Sequence, residues 1–325
     1  MKKIKFFDYQ LDTGNIKDYI NQIIDSFKIK NQKNSTSVSF LNPHSFVEAE
    51  KCKIFKQSLI ESEKLFIDGI GIKAFVKEKA NRIIGYDFFF NLLKKLNENN
   101  SSIKIYFLGS TDKVLNQIKT RISSEFPKVN VCGIYQPSFV ELEFSKSELN
   151  LMASDINKKN PDIVFVGLTA PKQEILSYEL TKLVKGRCFI NIGAVFDYYS
   201  KNKLMPIKII RDVGLEWLFR LLTDFKKIKT RVFISSLIYI KLIFYRKIIL
   251  PNKIENQNFK ILTNTNQIKL IKNKPILVAF NLAFLGYYYK SVIKYDKNFL
   301  FWPDGITSKI FLKSLIKIPG HKLID

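Results

Sequence analysis

One pattern constrains this chain more than any other: short runs that are apolar throughout, each followed by a segment whose apolar residues recur at helical spacing. The runs are SVSFL (37–41), IKIYFLG (103–109), VNVCGIY (129–135), DIVFVGL (162–168) and CFINIGAVF (188–196). Residues 15–30 place Ile16, Tyr19, Ile20, Ile23, Ile24 and Phe27 on one face, and the segment after 109 does the same with Val114, Leu115, Ile118 and Ile122. A strand without polar alternation is covered on both faces, and strands alternating with amphipathic helices belong to a parallel sheet between two helical layers. The expected fold class is therefore α/β, a mostly parallel sheet with helices on both faces. Pro171 suits the first turn of a helix and Gly186 its left-handed end.

Ligands of such sheets gather beyond the carboxyl ends of the strands. The residues to watch are Asn42, Gly109-Ser110-Thr111, Gln136-Pro137, Gly167 to Glu174 and Gly193 to Ser200. After Ser200 the pattern changes. Residues 201–231 are basic and aromatic, with Leu215, Leu218, Phe219 and Leu222 on one helical face, and 232–250 is apolar and basic. The net charge of +24 is unevenly spread: residues 1–200 hold 29 basic and 22 acidic side chains, residues 201–325 hold 24 and 7. A cationic C-terminal third seeks anionic lipid, a phosphorylated substrate or nucleic acid. No nucleic-acid motif accompanies it, so nucleic acid is not an expected partner. Lysine-rich compositional drift would produce part of the same bias.

No run reaches the ~18 apolar residues of a spanning helix; the nearest, 232–250, is interrupted by Lys241, Arg246 and Lys247. The start, MKKIKFFDYQ, lacks the apolar core of a signal peptide. Cys52, Cys132 and Cys188 are too scattered for a disulfide framework, which fits a reducing cytosol. Beyond 270 the sequence echoes itself: 278–311 resembles 38–75, with Asn281 answering Asn42 and Asp304-Gly305 answering Asp68-Gly69. The expected organisation is a core over 1–205, a basic helical appendage over 206–250 and an incomplete second copy of the core's N-terminal part over 251–325.

Four places carry candidate chemistry. Asp68 ends an apolar run at a glycine-containing turn, where a carboxylate can take a proton from an attacking hydroxyl; a lone Asp-Gly also serves as an Asx turn or helix cap. Gly109 and Ser110 precede a helix, so backbone N–H groups there can meet a phosphate. In Gly167 to Glu174, Lys172 can pair with a phosphate and Gln173 can bond a sugar hydroxyl or uracil, or both can be solvated first-turn residues. Gly193 allows close backbone approach, with Asp197 and Tyr198 nearby. Only two histidines (His44, His321) and no Asp-x-Asp pair are present, so no metal is expected.

The order of these pieces resembles the WecG/TagA/CpsF family of bacterial glycosyltransferases. The matching stretches are LNPHSFVEA (41–49), DGIGI (68–72), RIIGYD (82–87), FLGS (107–110), GIYQPSF (133–139), PDIVFVGLTAPKQE (161–174), NIGAVFDYYS (191–200) and GLEWLFRLL (214–222). The resemblance implies a Rossmann-like fold. It also implies inverting, metal-independent transfer from a UDP-sugar, commonly UDP-N-acetylmannosamine or its uronic acid, to an undecaprenyl-diphosphate-linked sugar in cell-surface polysaccharide synthesis. It makes Asp68 the general base. Asn42, Arg82, Asp87, Gly109, Ser110, Lys172, Gln173, Gly193 and Asp197 become substrate-binding positions, with Arg220 and Arg231 on the acceptor diphosphate. It implies that the appendage meets an anionic membrane surface, on the cytoplasmic face of the plasma membrane, and that self-association is possible. Two departures stand out. Phe40 occupies a position where the family often has Thr, and the run Asp224 to Arg231 carries Lys where the family has Arg, losing bidentate phosphate geometry. A non-catalytic sugar-nucleotide-binding module is the alternative.

Overall fold

The computed structural model describes residues 3–28, 34–76, 80–223, 235–243, 260–261, 276–280 and 299–303. The chain divides into two compact units, Met1–Val232 and Phe233–Asp325.

The first unit opens with an antiparallel hairpin, β1 (Lys3–Phe6) and β2 (Tyr9–Asp12), followed by α1 (Ile16–Lys28) and β3 (Thr36–Leu41). Three short helices flank the next strand: α2 (Pro43–Ala49), α3 (Lys53–Ile60), β4 (Lys64–Ile67) and α4 (Ile70–Phe75). Then come α5 (Gly85–Glu98), β5 (Lys104–Gly109), α6 (Asp112–Glu125), β6 (Asn130–Tyr135) and α7 (Lys146–Lys159). The series ends with β7 (Ile163–Gly167), α8 (Lys172–Leu183), β8 (Cys188–Asn191), α9 (Val195–Tyr199), α10 (Lys208–Asp212) and α11 (Glu216–Thr223). The eight strands form one sheet in the order β1-β2-β4-β3-β8-β7-β5-β6, parallel apart from the β1–β2 hairpin.

The apolar runs become strands because both their faces are covered. Ile105, Phe107, Ile163, Phe165 and Ile190 join one buried cluster with residues of α1, α5, α6 and α9. Tyr106, Leu108, Val164, Val166 and Phe189 join another with α7 and α8. Phe89 of α5 anchors the first layer, edge-on to Phe165 and Tyr199 with ring centroids 5.1 Å away in each case. The helical faces read from the spacing are the buried ones: Tyr19, Ile20, Ile23 and Ile24 of α1, and Val114, Leu115, Ile118 and Ile122 of α6.

Two local expectations change. The run 188–196 is not one strand: β8 stops at Asn191, Gly193 turns the chain at φ +52°, and Val195–Tyr199 is helical. Gly186 is not the cap of α8, which ends at Leu183; it takes its positive φ in the turn just beyond. The β1–β2 hairpin, too short to show a run, was not legible. In α10 and α11 the apolar face reaches solvent, with Leu222 76% exposed and Leu215, Trp217 and Leu218 also exposed.

The second unit contains a helix over 235–243 and three parallel strands, β9 (Lys260–Ile261), β10 (Ile276–Phe280) and β11 (Phe299–Pro303), in the order β10-β11-β9. That is the order of β3-β4-β2, and Phe280 pairs with Pro303 as Leu41 pairs with Ile67. Residues 281–298 and 304–325, including Asn281 and Asp304, lie outside the described residues. Among the described residues no helix is long and apolar enough to cross a membrane.

Candidate functional site

The carboxyl edge of the sheet brings most of the expected positions into one row. In the order of the strands, β4 delivers Asp68, β3 delivers Asn42, β8 delivers Gly193, β7 leads to Gly167 and Gln173, and β5 delivers Gly109 and Ser110. Four inter-strand steps separate the first from the last, about 19 Å at ~4.8 Å per step.

Asp68 is half-buried and sits directly on the β3 turn. Its N–H donates to the Leu41 carbonyl at 3.0 Å, and the Gly69 N–H shares that acceptor at 3.4 Å. Position 69 must be glycine, because a Cβ there would lie 2.5 Å from Pro43 Cδ and 3.1 Å from Asn42 Cβ. The missing side chain lets β4's turn close onto Asn42-Pro43 and sets Asp68 beside Asn42. Asn42 caps α2: its Oδ1 accepts from the Ser45 N–H at 3.0 Å, which satisfies one of the helix's orphan donors and turns Nδ2 away from the helix. Phe40, the departure noted above, is buried between Phe66 and Phe88 at 5.5 and 5.8 Å, so an aromatic cluster fills the place of a polar contact.

On the other side of β3 the first turn of α8 is buried rather than solvated. Gln173 is 6% exposed and Glu174 3%. Gln173 Nε2 donates to Glu174 Oε1 at 2.8 Å, and its Oε1 is buried with no hydrogen-bond partner among the described residues. A Cβ at Gly193 would stand 3.3 Å from that Oε1, 3.5 Å from Nε2 and 3.4 Å from the Leu168 carbonyl, so the left-handed glycine lets its loop approach the carboxamide closely. One turn further on, Ser177 donates to Asn191 Oδ1 at 2.5 Å, Asn191 Nδ2 donates to Ser39 Oγ at 3.0 Å, and Ser39 and Ser62 share a bond of 2.8 Å. Ser62 donates in turn to the Ser58 carbonyl at 2.9 Å. This buried chain is satisfied at every link and locks α8 to β8, β3 and α3, which fixes where Gln173 stands. Sequence reasoning missed it; its signal was two serines inside the apolar run SVSFL.

Other expected positions are engaged within the chain. Lys172 Nζ donates to the Val140 carbonyl at 2.8 Å and lies over the Phe139 ring at 4.7 Å. At the start of α6, Thr111 Oγ1 accepts from the Val114 N–H at 3.4 Å and Gln136 Oε1 from the Asp112 N–H at 2.5 Å, so two of the helix's N-terminal donors are taken. Gly109 and Ser110 both adopt positive φ, which turns the backbone sharply over the edge beside Gly167. Asp197, on α9, pairs with Lys203 at 2.9 Å. Beside it, burial and the Glu125 carboxylate hold the Tyr199 phenol protonated.

Arg82 and Asp87 hold the appended helices. Arg82 donates to both Glu216 oxygens, at 3.2 and 3.0 Å, and to the Arg211 carbonyl. Asp87 accepts from Arg211 at 2.9 Å. The turn at Gly214 packs on Ile70, two residues from Asp68. The α10–α11 segment is therefore seated next to the carboxylate end of the row. Arg220 lies on α11 with its side chain outside the described set, and Arg231 lies outside the described residues. Among the described residues no three His, Cys, Asp or Glu side chains cluster so as to hold a metal ion.

A row of this kind, with one carboxylate and two oriented carboxamides at the carboxyl edge of a mostly parallel sheet, lies where such folds bind polar ligands. Known proteins make the class definite: the chain is a glycosyltransferase. Residues 4–253 match the Glycosyl transferase WecG/TagA/CpsF family, and the chain belongs to that family. Among its relatives is the N-acetylglucosaminyldiphosphoundecaprenol N-acetyl-beta-D-mannosaminyltransferase of Bacillus subtilis (strain 168), 31% identical over 217 residues, which are 63% of this chain and 81% of that protein. The protein of the same name from Bacillus spizizenii is 30% identical over 188 residues, 56% of this chain and 69% of that one.

Proposed function

We propose that the chain moves N-acetylmannosamine or a related hexose derivative from a UDP-sugar to an undecaprenyl-diphosphate-linked sugar, with inversion and without a metal ion, in cell-surface polysaccharide synthesis. The observation that carries this reading is Asp68, half-buried at the carboxyl edge and set against Asn42 by the Gly69 contact. The names of the two relatives support the acceptor class and the sugar.

In this mechanism Asp68 takes the proton of the acceptor hydroxyl as its oxygen attacks the anomeric carbon. The bond from that carbon to the UDP oxygen breaks, and UDP leaves with the electron pair. Cationic side chains and backbone N–H groups offset the charge that develops on the leaving diphosphate. Exposed Leu204, Ile207, Ile209, Trp217 and Leu222, interspersed with Lys201, Lys203 and Lys208, suit a surface that rests on anionic lipid where the acceptor is anchored.

The test is UDP release from UDP-N-acetylmannosamine with a short-chain prenyl-diphosphate N-acetylglucosamine acceptor. Asp68→Asn keeps the shape and removes the base, so turnover should fall about 10²- to 10⁴-fold. Equal, slow UDP release by wild type and variant would instead favour a sugar-nucleotide-binding module.

A further inference from the structure

We propose that Glu174 is a positioning residue: it engages the nitrogen of the Gln173 carboxamide, so that the carboxamide oxygen beside Gly193 is left to take a hydrogen bond from a sugar hydroxyl or an acetamido N–H. The inference rests on the transferase reading above and adds to it the polarity of one contact. Side chains one residue apart on a helix normally diverge, yet Glu174 Oε1 meets Gln173 Nε2 at 2.8 Å with both side chains more than nine-tenths buried. The Glu174 oxygen that meets Nε2 is the acceptor of that bond, and a carboxamide oxygen has no hydrogen to offer it. Rotating the carboxamide by half a turn would set two acceptor oxygens against each other at that distance, away from water that could screen them. The nitrogen is therefore committed to Glu174, and the oxygen is left as the open acceptor.

That oxygen is buried and has no partner among the described residues, and the ideal Cβ position of Gly193 is 3.3 Å from it and 3.5 Å from the nitrogen, so the hydrogen bond to Glu174 and not the distance to Gly193 tells the two atoms apart. A buried acceptor left unpaired is costly, and a ligand donor arriving there recovers the loss. Diphosphate oxygens carry no proton at neutral pH and cannot serve. Sugar hydroxyls and an acetamido N–H can. Asn42 is set the other way: its oxygen is committed to the Ser45 N–H, leaving its nitrogen to donate. The edge thus offers a donor at the end of β3 and an acceptor between β7 and β8, a pairing that discriminates the two ends of a sugar phosphate.

Two measurements on the full chain decide this. In ¹⁵N spectra the Gln173 side-chain amide, identified by its absence in Gln173→Met, should be shifted and protected from exchange, and Glu174→Met, which has no oxygen to accept the bond, should remove that signature. In the UDP-release assay Gln173→Met and Glu174→Ala should each lower kcat/KM about ten-fold, and the double variant should be no worse than Gln173→Met alone, because Glu174 acts through Gln173. If Glu174→Ala does not fold, Glu174→Met, which fills the space without an acceptor, enters the same cycle. An unprotected amide in wild type, an unchanged amide in Glu174→Met, or losses that multiply in the double variant would overturn the proposal. A protected amide in a wild-type chain that releases no UDP would sink the transferase reading, with the orientation of Gln173 still decided by the spectrum.

Discussion

Replacing Arg82 by Met should loosen α10 and α11 from the carboxylate end of the sheet without unfolding the sheet. The Arg82 side chain is 7% exposed and Glu216 17%, and their contact is two-pronged, at 3.2 and 3.0 Å. Removing one partner of such a pair costs about 3–5 kcal/mol, because the other charge stays behind in a poor solvent. Glu216 softens this, since it lies in the first turn of α11 and the helix dipole returns about 0.3–1 kcal/mol. A net loss of about 3 kcal/mol corresponds to roughly a hundred-fold rise in the open population of the segment. Hydrogen exchange read by mass spectrometry checks this directly. Peptides from 208–223 should exchange roughly a hundred-fold faster, those from β3, β5 and β7 should not change, and Arg82→Met/Glu216→Leu should recover part of the protection. Unchanged exchange over 208–223, or equal acceleration throughout the sheet, would refute the argument that this ion pair seats the appended helices.

Gly69→Ala should lower both the melting temperature and UDP release, with overpacking against Pro43 costing about 1–3 kcal/mol; a thermal melt and the transfer assay check it. Burial pushes the Cys188 thiol from 9.0 up to about 12. Because the folded value lies above the unfolded one, its contribution is intact below pH 9 and is lost as pH rises from 9 toward 12, by about 1.4 kcal/mol at pH 10. Urea midpoints at pH 8 and 10 should therefore fall less in Cys188→Ala than in wild type, with Tyr19 and Cys132, which shift the same way, cancelling in the comparison. Binding to anionic vesicles should weaken as salt rises and disappear on neutral ones, measured by co-sedimentation.

The strands were legible because a sheet covered on both sides leaves a run with no polar alternation, and α1 and α6 because each buries one stripe. The edge row was legible for the same reason: once the strands are placed, Asp68, Asn42, Gln173, Gly193 and Gly109 must follow them. What the sequence hid is pairing at a distance. Arg82 and Asp87 read as ligand contacts, and only the fold shows them meeting Glu216 and Arg211, 134 and 124 residues away. Gln173 read equally as a ligand contact or a solvated first-turn residue, since helical periodicity says nothing of a loop such as Gly193 approaching it. The end of β8 was misjudged because Ile190, Ile192, Val195 and Phe196 are all buried, and apolarity alone does not report the turn that Gly193 makes between them.

The position of β8 has a consequence for synthesis. It is the last strand of the first unit to leave the ribosome, yet it lies between β3 and β7. Until residue 191 has emerged, the nascent chain can assemble only two separate half-sheets, β1-β2-β4-β3 and β7-β5-β6, each with a bare inner rim that invites wrong partners. Joining them pairs Thr36 with Cys188 across some 150 residues of chain, so assembly of this enzyme waits on a late, long-range insertion. The half-sheets also part between β3 and β7, where β8 inserts, so the row of candidate residues from Asp68 to Ser110 is complete only when that insertion is.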